Sequence, residues 1–468
     1  MQARFDMGNV PEKSGQSVGN ACHTCVVDPH FDLADLHDSN PLRYPHLLQS
    51  TAHGRYDILF ACPDESLVLD ENGLQGPGAV QTDFLSALDR WWLTLPPTVP
   101  ADTALPFTGG WFVYLGYELA QQIEPSLSLP HLDGLLPIAQ ATRFPCAVIR
   151  DHEQGLTTII AEAGHADRMA DIESDIAALP VTGLPVADEF QPDTLIEAPP
   201  AQYLDAIRRI HEYIREGDVF QVNLSRCWAV TGRRPVTGTA LYKRLRRYNP
   251  SPYSGIARFG EQAIISSSPE RLVRVHGKSV ETRPIAGTRP RSQHRVDDEA
   301  WSCELLAHPK ERAEHIMLID LERNDLGRIC RPGSVVVNEL MVLESYAHVH
   351  HIVSNVRGEL RAGVTPGEVI RAVFPGGTIT GCPKVRCMEI IAELEQEPRE
   401  AYTGSMGYLN RDGSMDLNIL IRSMLVSGHT VQLRAGAGIV ADSIPAAELE
   451  ETRIKALGLL RSLGVGAG

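Results

Sequence analysis

The sequence predicts an α+β protein, and three patterns along the chain carry that prediction. Short apolar runs separated by glycine and proline turns extend from about residue 44 to 180, which is typical of a strand-rich region. A stripe of apolar residues at helical spacing then begins at Tyr203 and stops at Gly217. Val219–Val230 alternates between apolar and polar residues, as a strand with two different faces does. Its polar face, Gln221, Asn223 and Ser225, either lines a pocket or meets solvent.

Four segments are predicted along the chain. Residues 1–40 lack a sustained period and are expected to form a loose N-terminal tail, and residues 41–182 form a strand-rich subdomain. The stretch Pro180–Pro200 contains five prolines, so residues 183–200 are predicted to be a linker. Residues 201–466 then form the second domain.

Composition and charge limit the kinds of partner. The 468 residues carry a net charge of −16, which argues against nucleic acid because phosphates would be repelled. The sequence has no apolar run long enough to span a membrane and no signal-peptide pattern, so a cytoplasmic enzyme is expected. Nine scattered cysteines fit reduced thiols, and Cys22 and Cys25 have no second pair to complete a zinc site.

Two pairs of glutamates suggest a metal site. Glu311 and Glu314 lie three residues apart on a predicted helix that opens at Pro309, so both point from one face. Glu448 and Glu451 repeat that spacing on a helix that opens at Pro445, followed by Lys455 on the same face. All-oxygen ligands favour Mg²⁺ over Zn²⁺. The alternative is that these glutamates are exposed and form ion pairs along each helix.

A glycine-rich turn and one arginine suggest anion binding. Phe374–Lys384 contains three glycines and leads into a predicted helix near Pro383, so its free N–H groups suit a carboxylate or a phosphate. A tight structural turn is the alternative. Arg422 follows an apolar strand and either clamps a carboxylate or pairs with an internal acid.

These segments together resemble the chorismate-utilising enzymes, which include the anthranilate, aminodeoxychorismate, isochorismate and salicylate synthases. The resemblance covers about residues 200–460 strongly and 44–180 more loosely. The motifs that carry it are Gly-Asp-Val-Phe-Gln-Val-Asn-Leu-Ser (217–225), Ser-Ser-Pro-Glu-Arg-Leu (267–272), Glu-Thr-Arg-Pro-Ile-Ala-Gly-Thr-Arg-Pro-Arg (281–291), Lys-Glu-Arg-Ala-Glu-His-Ile-Met-Leu-Ile-Asp-Leu (310–321), Arg-Asn-Asp-Leu-Gly-Arg (323–328) and His-Ile-Val-Ser-Asn (351–355).

The resemblance implies a fold and a set of site residues. The fold has two antiparallel β-sheets packed face to face and flanked by helices. The implied ligands of Mg²⁺ are Glu314 and Glu451 directly, with Glu311 and Glu448 through water. Groups implied to bind or neighbour the two carboxylates of chorismate are Arg422, Tyr402, Lys455, Thr288, Thr378 and the backbone near Gly436 and Gly438. Glu270 would be the general acid and His351 would lie near the C4 hydroxyl. The alternatives are that Glu270 pairs with Arg271 or Arg274 and that His351 is a packed core residue.

The same resemblance bears on the nucleophile. Water-using members place a basic lysine where this chain has Gln221, a neutral side chain that cannot activate water. We therefore expect an ammonia-using enzyme, with Gln221 at the catalytic centre and a separate glutamine amidotransferase subunit as its partner. Leu-Leu-Gln-Ser (47–50), Gln-Val-Asn-Leu (221–224) and the glycine turn resemble the members that aminate C4, the aminodeoxychorismate synthases.

Ala286 instead favours amination at C2, because many enzymes that aminate C4 carry a nucleophilic lysine at that position, whereas anthranilate synthases carry alanine. Amination at C2, as in anthranilate synthase component I, therefore stays open. So does a third alternative, a non-catalytic chorismate- or tryptophan-binding paralogue, although such a protein should have lost a metal ligand or Glu270.

Overall fold

The structure is a computed structural model that describes residues 22–52, 54–96, 105–130, 134, 136–180, 190–291, 298, 303–305, 307, 309–345 and 349–465. Within these residues the strands form two antiparallel sheets, of twelve and eleven strands. No described helix combines the length and the apolar composition that crossing a bilayer requires.

The first sheet runs, from one edge to the other, through β1 (His23–Val27), β9 (Leu156–Ala161), β8 (Cys146–Asp151), β3 (Tyr56–Ala61), β2 (His46–Gln49), β12 (Tyr253–Phe259), β13 (Gln262–Ser268), β22 (Ser423–Ser427), β23 (Thr430–Ile439), β11 (Gln221–Gly232) and β10 (Pro192–Glu197), and β19 (Gly381–Cys382) also pairs with β11. The second sheet runs through β16 (Ile285–Pro290), β18 (Val349–Glu359), β15 (Ser279–Arg283), β14 (Arg271–His276), β21 (Met415–Asn418), β20 (Ser405–Asn410), β6 (Gly110–Leu115), β7 (Ala139–Phe144), β4 (Ser66–Asp70) and β5 (Gly73–Gln75), and β17 (Val336–Ser345) also pairs with β18.

The described helices flank these sheets. They are α1 (Leu33–Ser39), α2 (Phe84–Thr94), α3 (Ala120–Ile123), α4 (Arg168–Ala178), α5 (Pro200–Glu216), α6 (Gly238–Tyr248), α7 (Pro309–Gly327), α8 (Pro366–Val373), α9 (Lys384–Glu395) and α10 (Pro445–Ser462).

A buried aromatic layer joins the two sheets face to face. Phe60 of the first sheet packs against Phe112 and Phe144 of the second, with ring centroids 5.4 and 5.3 Å apart. On the outer face of the first sheet, apolar side chains of α1, α4, α6 and α10 form one core. On the outer face of the second sheet, α2, α7 and α8 cover another. The predicted fold of two antiparallel sheets with helices outside is confirmed.

Both sheets take strands from either side of the predicted linker. In the first sheet β2 pairs with β12, and in the second β6 pairs with β20. Residues 41–182 and 201–466 therefore share both sheets. The order of strands in each sheet depends on pairing between segments that are distant in sequence, which a local sequence pattern does not encode.

The predicted tail is wrong over its described part. His23–Val27 pairs with β9, and Asp32 caps α1 by accepting a hydrogen bond from the N–H of Ala34 at 3.0 Å. Leu33 and Leu36 are fully buried against the first sheet. The segment is too short to show a period of its own, and tertiary packing orders it.

The predicted linker also differs from the structure. Residues 183–189 lie outside the described residues, but Pro192–Glu197 forms edge strand β10, paired with β11. Proline is tolerated there because it opens an edge strand. Two predicted helix boundaries are confirmed: α5 ends at Gly217 in the left-handed region, with φ of 84°, and α10 opens at Pro445. The residue before Pro309 lies outside the described residues, so the predicted start of α7 stays a prediction.

Candidate active site

Glu270 lies between β13 and β14 in a buried position. Its Oε1 accepts a long hydrogen bond from the N–H of Ile285, with the donor nitrogen 3.5 Å away. Burial raises the pKa of the Glu270 carboxyl to about 7, although Thr378 and nearby cations favour its ionised form. Near neutral pH the group is therefore partly protonated, which is the state a general acid needs.

The alternative partners of Glu270 are engaged elsewhere. Arg271 donates to Asp416 at 2.9 Å and to Glu281 at 3.2 Å, and Arg274 donates to the same Glu281 carboxylate at 3.4 Å. The predicted alternative, in which Glu270 is a structural carboxylate paired with these arginines, does not describe the structure.

His351 is a buried residue of β18, opposite Thr288 of β16 in the register. Burial lowers the pKa of its imidazole to about 4, and Arg422 contributes in the same direction. A hydrogen bond with the backbone of Gly287 opposes this shift only in part. His351 is therefore neutral at physiological pH, able to donate or accept a hydrogen bond but not to supply a positive charge.

Arg422 brings a cation into the same region. Its backbone φ of 53° lies in the left-handed region, which is unusual for a residue with a side chain. Burial lowers its pKa, while Tyr402, Glu451 and Glu270 favour the charged form. The guanidinium therefore lies close enough to Glu270 and to Glu451, a predicted metal ligand, to interact electrostatically with both.

Lys455 and Tyr402 adjoin the glycines of β23. Lys455 Nζ donates to the carbonyl oxygen of Gly436 at 3.0 Å and pairs with Glu451 Oε1 at 2.6 Å. A Cβ added at Gly436 would lie 2.8 Å from the Tyr402 hydroxyl, and one at Gly438 would lie 2.4 Å from Gln221 Nε2. Because glycine has no side chain, Gln221 of β11 and Tyr402 can approach the backbone of β23 closely at these two positions.

Two of the three polar side chains on this face of β11 are buried, and Asn223 is partly exposed. Gln221 and Ser225 are each 5% exposed, and the opposite face, Val222 and Leu224, packs on a separate apolar core. Phe220, which the alternation placed on the apolar face, precedes the strand and is 68% exposed. The structure therefore excludes the solvent-facing interpretation for Gln221 and Ser225, and the pocket lining stays a prediction.

The glycine turn runs along the edge of β11, where β19 pairs with that strand. Gly377–Ile379 forms a single short turn, and the N–H of Asn223 donates to Thr380 at 2.9 Å. Helix α9 begins at Lys384, one residue later than predicted, with Pro383 as its N-cap. Thr378 adjoins Glu270, while the side chain of Thr288 lies outside the described residues.

The four predicted metal ligands lie on two helices that reach the site from different directions. Glu311 of α7 adjoins β16, since a Cβ on Gly287 would lie 2.8 Å from its Oε2. On α10, Glu448 accepts from the Ser443 hydroxyl at 2.7 Å and Glu451 holds Lys455. Glu314 lies on α7, one turn beyond Glu311. Within the described part of the chain, no three His, Cys, Asp or Glu side chains are gathered closely enough to hold a metal ion.

These carboxylates nevertheless suit a hard cation. Their donors are all oxygen, the ligand type that Mg²⁺ prefers. Mg²⁺ commonly takes only one or two carboxylates and keeps several waters, so a cage of three protein ligands is not required. The chemistry of these donors therefore fits Mg²⁺.

Two large cavities lie away from these groups, with volumes of about 910 and 930 Å³. Both are lined by Gln49 of the Leu-Leu-Gln-Ser motif. Gln49 Nε2 donates to Asp57 at 3.0 Å, and its Oε1 accepts from Tyr242 at 2.9 Å. A glutamate could not donate to Asp57, so the amide is matched to this position.

Comparison with known proteins agrees with this arrangement. The family model of the chorismate binding enzymes matches residues 45–461. Aminodeoxychorismate synthase component 1 of Bacillus subtilis is 41% identical over 435 residues, which cover 89% of this chain and 91% of that protein. Anthranilate synthase component 1 of Thermus thermophilus is 42% identical over 367 residues, covering 76% and 78% of the two chains.

A solved structure gives the same result. Anthranilate synthase component I from Streptococcus pneumoniae TIGR4 superposes with a TM-score of 0.77 at 32% identity, covering 87% of this chain and 92% of that one. The motifs, the two-sheet fold and the matched length agree, and the chain belongs to the family of chorismate binding enzymes.

Proposed function

We propose that this chain aminates chorismate at C4 with ammonia and forms 4-amino-4-deoxychorismate, as an aminodeoxychorismate synthase component I does. The observation that carries the choice of nucleophile is Gln221, a buried neutral amide where the water-using relatives have a basic lysine. Without a base beside it, water is a poor nucleophile at neutral pH, whereas ammonia needs no activation.

The choice of C4 rests on the likeness to the Bacillus subtilis synthase. That likeness extends over 89% of this chain, compared with 76% for the Thermus thermophilus anthranilate synthase, at nearly equal identity. The Gln49 amide, matched to Asp57, also agrees with the Leu-Leu-Gln-Ser motif of the C4 enzymes.

In the proposed reaction, Glu270 gives its proton to the C4 hydroxyl, which leaves as water. The nitrogen lone pair of ammonia forms the new bond to carbon, and the proton lost from that nitrogen returns to the Glu270 carboxylate. No electrons are gained or lost overall. Arg422 and Lys455 supply positive charge for the two substrate carboxylates, and neutral His351 can hydrogen-bond the departing hydroxyl.

Mg²⁺ is part of this proposal. Glu314 and Glu451 would bind it directly, Glu311 and Glu448 would bind it through water, and the ion would supply electrostatic stabilisation at the ring carboxylate. Lys455 is already paired with Glu451, so that lysine lies between the proposed metal site and the Gly436 carbonyl.

A separate glutamine amidotransferase subunit is the proposed source of ammonia. Both curated relatives are named as component 1 of a synthase, which supports a second component. The isolated chain should therefore use ammonium salts and fail with glutamine alone.

Anthranilate synthesis is the second candidate, because Ala286 cannot act as a nucleophile and anthranilate synthases carry alanine there. Product identity separates the two. The chain is incubated with chorismate, Mg²⁺ and ammonium, and half the sample receives excess aminodeoxychorismate lyase. We expect 4-aminobenzoate only in the treated half. Anthranilate formed without lyase would establish the second candidate, and a Glu270→Gln control should form neither product.

A further inference from the structure

Two side-chain oxygens on the polar face of β11 are buried without a hydrogen-bond partner among the described residues. They are Gln221 Oε1 and Asn223 Oδ1. A buried amide oxygen left unsatisfied is unfavourable, so such atoms usually have a ligand or a water in the functional state. Sequence reasoning assigned a role to Gln221 and none to Asn223.

The backbone around both residues is firmly held. The carbonyl of Asn223 accepts from Arg399 at 2.7 Å, and its N–H donates to Thr380 at 2.9 Å. The carbonyl of Gln221 accepts from the Cys387 thiol at 3.0 Å. These bonds hold the backbone from which both side chains extend. The unsatisfied side-chain oxygens therefore do not result from a poorly held segment of chain.

The two amides share one face of β11, because they are two residues apart on a strand. Gly438 and Gly436 of the neighbouring strand lie beside them: an added Cβ would lie 2.4 Å from Gln221 Nε2 and 2.9 Å from Asn223 Oδ1, respectively. Asn223 Nδ2 makes a long contact with the carbonyl of Thr378, 3.4 Å away. Since the side chain of Thr378 also lies beside Glu270, Thr378 links Asn223 to the proposed general acid.

The chemistry of the pair defines its ligand. Two neutral carbonyl oxygens accept hydrogen bonds but cannot remove a proton or attack carbon. A small molecule with several N–H donors suits two such acceptors, and ammonia that donates to them keeps its lone pair free for the reacting carbon. Water can also donate to both, so the test must separate ammonia binding from a structural water.

We infer that Gln221 and Asn223 form the ammonia-binding pair of this enzyme, with Asn223 as the positioning residue. The inference rests on the proposed amination but not on which ring carbon is aminated. Asn223 is expected to hold ammonia so that its lone pair points at the reacting carbon of the substrate.

The test measures steady-state kinetics with ammonium chloride as the only nitrogen source. Asn223→Leu keeps the shape and removes the acceptor, and we expect the ammonium KM to rise at least about ten-fold while the chorismate KM changes by less than about twofold. Asn223→Asp keeps an acceptor at the same place and should restore the ammonium KM to within about threefold of the parent. Ser225→Ala, on the same strand face but bonded to Glu395, is the matched control and should leave the ammonium KM unchanged.

An ammonium KM within about twofold of the parent in Asn223→Leu, or an equal rise in both KM values, would overturn the inference. If Asn223→Leu does not fold, Asn223→Val removes the acceptor with a smaller side chain that suits a strand, and the same rise is expected. Product identity is recorded in parallel. Loss of any aminated product from the parent chain would overturn the proposed function and this inference together, whereas an unchanged ammonium KM overturns only the inference.

Discussion

Glu395 and Arg399 form a buried ion pair, 2.6 Å between Glu395 Oε1 and the Arg399 guanidinium, that holds together the two segments facing the substrate site. The same Glu395 oxygen accepts from the N–H and the hydroxyl of Ser225 on β11. The Arg399 guanidinium also donates to the carbonyls of Asn223 and Ile379, so it connects β11 with the glycine turn. Because this pair holds the backbone of Asn223 and of the glycine turn, it sets the spacing between those two segments.

Glu395→Gln should therefore destabilise the fold by about 3–5 kcal/mol, because one partner of a buried pair is left uncompensated. Burial favours the neutral carboxyl, but Arg399 and Arg434 outweigh it and hold the pKa of Glu395 below its ordinary value. The stability contributed by the pair is therefore present at neutral pH and lost as pH falls through the lowered pKa. Urea unfolding of parent and variant at pH 7 and pH 4 measures both effects, and Glu397→Gln, an exposed partner of Arg434, is the control. Equal stability of parent and Glu395→Gln at pH 7 would contradict the prediction.

Glu270→Gln should lower kcat by about 10²–10⁴-fold, because the glutamine cannot donate a proton to the leaving hydroxyl. In the parent, activity should fall as pH rises through about 7, the pKa of Glu270, since only the protonated form is a general acid. The pH profile of kcat/KM measures this, and a profile flat from pH 6 to 8 would be inconsistent with the assignment.

The same substitution should raise stability at alkaline pH. The fold raises the pKa of Glu270 from 4.5 to about 7. The stability that the protonated carboxyl contributes is therefore complete below pH 4.5, and it is lost as pH rises through about 7. Relative to the parent, Glu270→Gln should gain about 3 kcal/mol by pH 8 and nothing at pH 4. Thermal unfolding at the two pH values tests this, and no gain at pH 8 would show that Glu270 is not desolvated.

Gln49→Glu should destabilise the protein by about 1–3 kcal/mol at pH 8, because it replaces the donor to Asp57 with a second carboxylate. One of the two carboxyls should then hold a proton, with its pKa raised above the ordinary value. The loss should therefore be smaller at pH 4 and grow as pH rises. Gln140→Glu is the matched control, since Gln140 donates only to the Thr142 hydroxyl, which can rotate to donate in return. If both variants lost a similar amount of stability, repulsion between the introduced carboxylate and Asp57 would be excluded as the cause.

Glu314→Gln should abolish Mg²⁺-dependent turnover while leaving the unfolding midpoint within about 2 °C of the parent. Calorimetric titration with Mg²⁺ in the presence of chorismate gives a readout independent of activity, and its heat should disappear. Asp320→Asn, on the same helix in an exposed pair with Arg323, should retain both activity and binding. Normal Mg²⁺ binding by Glu314→Gln would remove this residue from the metal site.

Local patterns were sufficient for several parts of this protein. The end of α5, the opening proline of α10 and the alternation along β11 follow from short-range periodicity and from the conformations that proline and glycine allow. Composition and motif order were also enough to identify the family. The spacing of Glu311 and Glu314 places both on one helical face whatever the rest of the fold does.

Long-range packing decided the rest. Residues 23–39 have no period of their own and become β1 and α1 only because the first sheet offers a strand partner and an apolar surface. The protonation of Glu270 and the neutrality of His351 depend on desolvation, which is a property of the enclosed site and not of either residue. The unsatisfied oxygen of Asn223 likewise exists only because β11, β23 and the glycine turn, distant in sequence, bury it together. The sequence by itself determined which chemical groups this protein has and on which elements they lie, and the tertiary structure determined their charge states and which of them lack a partner.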